Sequence, residues 1–465
     1  MLLKRFTLAT ALTVCAFAST VPNDKRDALT ATVTLSQDKG EPKQLVCGML
    51  YGVPVKPNQI PDKFYTGIKF NYLRAGGAQN SAPGWLGGGE DKYRPRFNSA
   101  LSNYKTARKY GARFVLLIHD LWGADSLQAS DAAFPGDGGD WSNYEEFLDT
   151  VVTDIKKAGM TTGLDIDIWN EPDNGPFWGR SQDQFLELWG RTYARLRGAF
   201  GTNVSLVGPS TVSFPTTDND WWTRYLSFIS TNSSVPDIYS WHLLLDPAVD
   251  PQSSSETFNN VLRPQHNLPA RPIQINEFAL REEQQPAGSV WYISRFERNN
   301  IQGLRANYGF YGQLYDFQAG LLGKPHADDD QYNAEGGGYY ANGEWQLLAY
   351  YANMQGRRVG TTGTSDGKFE VFATKDGSNK FKIIAGARRT MGTWKIQVKG
   401  LSSLKLSKSG SIRVQQLRFD FDGYYGKVGT PVDLGTKTYK YSNDVVTFQV
   451  TPSTINTAYA FELVA

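Results

Sequence analysis

Between Cys47 and Gly356, short apolar runs alternate with amphipathic stretches, and no other feature of the chain constrains its fold as strongly. The runs are Val46–Val53, Phe70–Ala75, Arg113–His119, Gly163–Trp169, Val204–Gly208, Asp237–His242, Ile273–Phe278 and a weaker Gln313–Gln318. Runs of this length, bounded by polar and glycine-rich segments, have the grammar of strands buried on both faces. Between them the pattern turns helical. In Asp140–Met160, Phe147, Val151, Ile155 and Ala158 recur at helical spacing; in Phe97–Tyr110, Phe97, Leu101 and Tyr104 do so. Asn342–Met354 closes the series as a helix. Eight strand–helix units predict an α/β fold, a (β/α)8 TIM barrel over residues 46–356. A doubly wound sheet is the alternative, but no glycine-rich phosphate turn follows the first strand.

After Gly356 the period changes to two. Trp394, Ile396 and Val398 alternate with polar neighbours, and Val446–Val450 and Tyr459–Leu463 repeat the pattern between turns such as Asp376-Gly377. A C-terminal antiparallel β-sandwich over residues 357–465 is expected. Leu29–Leu35 also alternates, so residues 27–45 are read as an N-terminal strand joining that sandwich.

Lys4-Arg5, an apolar run from Phe6 and Ala16-Phe17-Ala18 form the pattern of a secretory signal, and Lys25-Arg26 follows as a dibasic processing site. Residues 1–26 are therefore read as a signal peptide with a short pro-peptide, and the protein as secreted and extracellular. On that reading Cys15 leaves and Cys47 has no partner for a disulfide; in its apolar run it is expected to be a buried, inert thiol. Asn203-Val-Ser and Asn232-Ser-Ser are glycosylation sequons. The 48 Lys and Arg against 46 Asp and Glu leave no field to draw nucleic acid or an anionic membrane. A monomer is expected. No zinc-spaced His/Cys cluster or phosphate loop appears, so no cofactor or metal is expected.

The ionisable groups expected at the C-terminal ends of the strands narrow the chemistry. The fourth strand runs into Trp169-Asn170-Glu171-Pro172, where Pro172 ends the ladder and leaves Asn170 and Glu171 at the barrel mouth. The seventh ends in Asn276-Glu277-Phe278. One glutamate at a strand end is as readily a structural ion pair. Two facing each other match what glycosidic cleavage needs, one carboxyl to protonate the leaving oxygen and one to attack or stabilise the anomeric carbon.

Trp169-Asn170-Glu171-Pro172, Glu277, the trailing sandwich and the N-terminal strand resemble the clan A retaining glycoside hydrolases. The resemblance is greatest to glycoside hydrolase family 39, the xylosidase and iduronidase family, and looser to families 30, 51 and 79. It implies that Glu171 is the acid/base, that Glu277 is the nucleophile and that Asn170 binds the sugar 2-hydroxyl. It also implies that the carboxyls lie about 5 Å apart. The substrate would be an oligo- or polysaccharide of plant or microbial origin.

Several further residues carry two readings. Arg74 orients Glu277, or forms an internal salt bridge to Asp167. His119 and His242, at the ends of strands three and six, contact sugar or are structural. Leu244 stands where the family has a tyrosine, so Tyr239 and Tyr315 are the candidates to assist the nucleophile. Trp85, Trp122, Trp178 and Trp291 stack on sugar rings or pack in the core. Glu171 is expected to hold its proton through burial against Trp169 or nearby aromatics. Gly363-Thr-Ser365-Asp-Gly367 matches an ester-hydrolase pattern but lacks the strand–helix context and reads as a turn. The alternative to an enzyme is a carbohydrate-binding or cell-wall protein whose catalysis has lapsed.

Overall fold

Eight parallel strands close into a barrel: β2 (Gly48–Leu50), β3 (Tyr72–Ala75), β4 (Arg113–Leu117), β5 (Leu164–Asp167), β6 (Ser205–Thr211), β7 (Ile238–Leu243), β8 (Ile273–Phe278) and β9 (Ile301–Arg305). β9 pairs with β2 through Gly48 and Leu304 and completes the ring. The computed structural model describes residues 29–129, 131–244, 249–309 and 312–464; the expected leader, residues 1–26, lies outside them. Among the described residues, no helix is long and apolar enough to cross a membrane.

The eighth strand is not where the sequence pattern placed it. Gln313–Gln318 is a loop, and Phe317, Gln318 and Ala319 all have positive φ, which no strand tolerates. β9 escapes pattern reading because its alternation is broken by Gly303 and it follows directly on the polar end of a helix, Pro286–Asn299. Gly303 is required there: a Cβ would come within 2.2 Å of the Phe296 ring. The third strand also stops early, at Leu117, and His119 sits in a helical turn, Ile118–Trp122. The expected helices appear as Glu90–Lys109, Ser142–Lys157 and Gly343–Ala352, the last capped by Asn342, whose side chain accepts from Trp345 N–H.

The second domain holds β1 (Thr30–Asp38) together with β12 (Arg357–Thr362), β13 (Phe369–Lys375), β14 (Phe381–Ala387), β15 (Trp394–Lys399), β16 (Gly410–Phe419), β17 (Val432–Tyr441), β18 (Val445–Val450) and β19 (Ala458–Val464). The small pair β10 (Leu322–Gly323) and β11 (Tyr340–Ala341) belongs to the loop after β9. The nine strands run in the order β17-β16-β19-β14-β13-β12-β1-β15-β18. β1 pairs antiparallel with β12 and parallel with β15, the one departure from an otherwise antiparallel arrangement. Period two is realised as burial: Trp394, Ile396 and Val398 face the core while Lys395 and Lys399 face solvent.

Helix Pro286–Asn299 lies between the domains and is buried over nearly its whole length. Its Arg295 and Arg298 meet the buried carboxylate of Glu370 on β13 at 2.7 and 2.6 Å. Trp291 is held between Arg295 and Arg388, whose guanidinium carbons lie 4.9 and 4.4 Å from its ring, so it serves this junction rather than a sugar site. Ser365 is exposed in the turn from β12 to β13, without the strand-to-helix elbow an ester hydrolase needs. Asn203 and Asn232 are both exposed.

Candidate active site

The centre is organised by one buried arginine. Arg74, on β3 and fully buried, donates from Nε to Asp167 Oδ2 at 3.0 Å, from Nη1 to Glu277 Oε1 at 2.7 Å and from Nη2 to Asn170 Oδ1 at 2.6 Å. The two readings of this residue are therefore both realised, since one planar fork holds the internal salt bridge and Glu277 together. Asp167 Oδ2 also accepts from Ser210 Oγ at 2.8 Å and Asn276 Nδ2 at 3.0 Å, so one oxygen of this wholly buried carboxylate gathers all its hydrogen bonds while Oδ1 has none.

Backbone irregularities aim these side chains. In a regular strand, Asn276 and Glu277 would point to opposite sides. The register against β7 slips between Trp241 and His242, leaving Asn276 as an extra residue, and both side chains turn inward. On β6 a second slip falls at Ser210, between Pro209 and Thr211. Ser210 O accepts the Glu171 N–H at 2.8 Å. Glu171 itself has φ +46°, a left-handed conformation that costs a non-glycine residue roughly 1–2 kcal/mol. That conformation lifts its carboxyl out of the strand line and over the barrel mouth.

Glu171 Oε1 meets His242 Nδ1 at 2.9 Å, and Glu171 Oε2 accepts from Asn174 Nδ2 at 2.7 Å. His242 Nε2 lies 3.7 Å from Glu277 Oε1. An oxygen of each glutamate and a ring nitrogen of His242 all fall within 4.8 Å of one another. Burial disfavours the imidazolium, but the charge of Glu277 and the bond to Glu171 outweigh it and raise the pKa of His242. Burial likewise pushes Glu171 up, and the hydrogen bond and charge of His242, helped by Asn174, overcome it, so its carboxyl sits below the usual range. The expectation that burial against Trp169 raises this pKa is thus overturned: Trp169 turns its indole N–H to Phe177 O, and the polar partners of Glu171 win. The three side chains form a donor set of the kind that suits a small cation, and Arg74 already supplies one positive charge between Glu277 and Asp167.

A cavity of about 180 Å³ opens above this centre, lined in part by Asn170, Glu171, Glu277, His119, Asp120 and Asn307. His119 is buried in the cavity wall with Nε2 2.8 Å from Asp120 Oδ1, and neither ring nitrogen makes a hydrogen bond. Tyr51, at the end of β2, donates to the other Asp120 oxygen and accepts from the N–H groups of Gly76 and Ala78.

Other expected contacts are absent. Trp122 and Trp178 are 2% and 3% exposed; Trp122 packs edge-on against Tyr144 and Phe147, and Trp178 against Phe134, Trp169 and Phe185. Both are core, because the helices after β4 and β5 pull these loops down onto the barrel. Trp85 packs in the same way on Tyr93 and Phe147. Tyr315 donates to Ala78 O at 2.6 Å and Tyr239 to Pro269 O at 3.3 Å, so neither reaches Glu277. Tyr308 stands nearer: burial and then the charge of Glu277 push its phenol up. Sequence reasoning passed over Tyr308, Asn174, Ser210 and Tyr51. Only Asn174 carried a usable signal, a turn-forming residue three positions after Glu171.

No family model matches the sequence, and no curated protein matches it. Solved structures do share its architecture. N2152 from Neocallimastix frontalis superposes with a TM-score of 0.72 at 22% identity, over 93% of this chain and 98% of that one. A glucosidase from Croceicoccus marinus gives 0.60 at 12% identity, over 94% and 99%. A family 39 β-xylosidase from Caulobacter crescentus gives 0.55 at 13%, over 94% and 100%. In fold, the chain is similar to these structures: a closed eight-stranded barrel with a β-sandwich domain beside it.

Proposed function

We propose that the protein is a secreted retaining glycoside hydrolase in which Glu277 attacks the anomeric carbon and Glu171 serves as acid and then base. The observation that carries this reading is the approach of Glu171 and Glu277 across the barrel mouth, within 4.8 Å at their nearer oxygens. Retention through a covalent intermediate uses carboxyls about 5–5.5 Å apart, whereas inversion needs about 6.5–9.5 Å to admit a water. Arg74 supports Glu277 as the nucleophile, because a charge-assisted bond keeps an attacking carboxylate ionised and fixes its direction. The leaving oxygen takes its proton from Glu171, and His242, whose Nδ1 lies 2.9 Å from Glu171 Oε1, is the group placed to exchange a proton with it. Once the sugar is esterified to Glu277, that carboxylate loses its charge. Glu171, now ionised, takes a proton from water, and the hydroxide equivalent releases the sugar with its original anomeric configuration. The glucosidase and xylosidase among the similar folds make β-linked plant polysaccharide the first substrate class to test.

The test is sugar release from 4-nitrophenyl glycosides and soluble polysaccharides, with Glu277→Ala alongside and product anomers followed by NMR. Turnover that is lost in the variant and yields the starting anomer supports the reading. Unchanged turnover in Glu277→Ala, or inverted product, sinks it. A lapsed, purely binding protein is disfavoured by the complete carboxylate pair and its undamaged Arg74 and His242 partners.

A further inference from the structure

The sandwich sends one loop over the segments that follow β8 and β9. Between β16 and β17 the chain passes through Asp420–Pro431 and lies against the segment after β9. Val428 N–H donates to Ala341 O at 3.1 Å, Asn342 Nδ2 to Tyr424 O at 2.9 Å and Gln346 Nε2 to Val428 O at 2.9 Å. Gly343 sits so close beneath that a Cβ would come within 2.0 Å of Asp420 O. The loop is therefore built into the barrel rather than laid upon it.

It also borders a small recess that adjoins the catalytic cavity. Asn307 lines both that cavity and a small recess walled by Tyr308, Arg281, Tyr424 and Tyr425. Arg281, Tyr424 and Tyr425 in turn line an open hollow of about 380 Å³ that reaches Tyr340 and Asp328. The three depressions follow one another from Glu277 to the sandwich. Their aromatic walls are fixed by their hydroxyls: Tyr308 donates to Ala279 O at 3.3 Å, Tyr424 to Arg281 O at 2.8 Å and Tyr425 to Gln313 Oε1 at 2.9 Å. Each phenol tip is engaged, the Arg281 guanidinium lies 4.8 Å from the Tyr424 ring centre and Phe317 packs 4.9 Å from that of Tyr425, so the half-buried rings are held rigid and binding against them costs little side-chain entropy. Arg281, Asp328 and Asp422 line the hollow together with Lys324 and His326, which pair with Asp316 and Asp329, so it has mixed polarity rather than one sign of charge.

We propose that this track is a distal binding site for a neutral polysaccharide chain, which extends from the scissile bond onto Tyr424 and Tyr425 of the sandwich loop. The assignment rests on the glycosidase reading of the centre and adds to it a preference for long substrates. Flat, partly polar aromatic walls suit pyranose rings, whose axial C–H faces are apolar and whose edges are hydroxylated.

The experiment compares wild type, Tyr424→Ala, Tyr425→Ala and Tyr424→Phe on soluble xylan and barley β-glucan and on the corresponding 4-nitrophenyl β-glycosides. The alanine variants are expected to lose roughly tenfold in kcat/KM on the polymer, chiefly through KM, with the aryl glycoside unaffected. Tyr424→Phe keeps the ring but loses its hydroxyl anchor, and is expected to retain more polymer activity than Tyr424→Ala. Equal losses on both substrates, or no loss on either, overturn the proposal. Should the loop variants fold poorly, Tyr340→Ala at the far side of the hollow poses the same question. If wild type hydrolyses none of these glycosides, the glycosidase reading fails on its own. The track is then tested by retardation in polysaccharide-containing native gels: retardation lost in Tyr424→Ala supports it, and none in wild type overturns it.

Discussion

Asn174 donates its side-chain amide to Glu171 Oε2 at 2.7 Å, from three residues further along the same turn, while His242 occupies Oε1. Both oxygens of the proposed acid are therefore engaged in bonds that favour its ionised form.

Removing the amide raises the pKa of Glu171. Since Glu171 must be protonated in the first step, activity falls as pH rises through that pKa. Asn174→Ala is expected to move the alkaline limb of the kcat/KM profile to higher pH, and Asn174→Asp, which adds a like charge, to move it further. A profile that drops in height without moving sideways would mean that Asn174 only supports the turn.

His242 links the site to stability. Its pKa is raised in the folded state, so its contribution is full below the unfolded value of about 6.5 and is lost as pH rises through the folded value. Glu171 has the opposite sign: its pKa is lowered, and its contribution is lost only as pH falls through that lowered value. The stability difference between wild type and His242→Gln is thus expected to be largest in weak acid and to shrink above neutrality. Thermal melts of both proteins across pH 5 to 9 check this; a constant difference would contradict it.

The barrel was legible because its strands are buried on both faces and read as apolar runs, and the two glutamates because Pro172 and Phe278 mark the ends of those runs. Period two in Trp394–Lys399 made the sandwich equally plain. What escaped depends on backbone irregularity or on long-range docking. The inward turn of both Asn276 and Glu277 arises from a bulge, the left-handed Glu171 has no residue-type signature, and β9 is masked by Gly303. The direction of the Glu171 shift depends on His242, which lies 71 positions away and meets it only in the folded chain.

The tryptophans in the strand-to-helix loops are expected to matter for folding rather than for sugar affinity. Trp122→Ala and Trp178→Ala each remove a large ring from a closed aromatic cluster, at a cost of about 3–5 kcal/mol. Urea unfolding gives that loss. The KM of the protein that remains folded should stay close to wild type, and a rise of tenfold or more with unchanged stability would restore a stacking role.

The final expectation concerns the junction that sets the sandwich against the barrel. Glu370 is wholly buried, accepts hydrogen bonds from Arg298 and forms an ion pair with Arg295, both on helix Pro286–Asn299, while Arg388 reaches from β14's end to Glu283 at 2.5 Å. Breaking a buried ion pair from one side leaves its partner charge uncompensated, which costs about 3–5 kcal/mol. Glu370→Ala strands two guanidiniums and is expected to fall in or above that range, whereas Arg298→Ala alone leaves Glu370 paired with Arg295 and should cost less. Because the same helix follows β8, which carries Glu277, loosening the junction should also lower kcat before the barrel melts. Activity and intrinsic tryptophan fluorescence followed through one urea titration test this. In wild type the two should be lost together, and in Glu370→Ala activity should go first. Coincident loss in the variant would show that the sandwich stabilises the barrel without steadying its active centre.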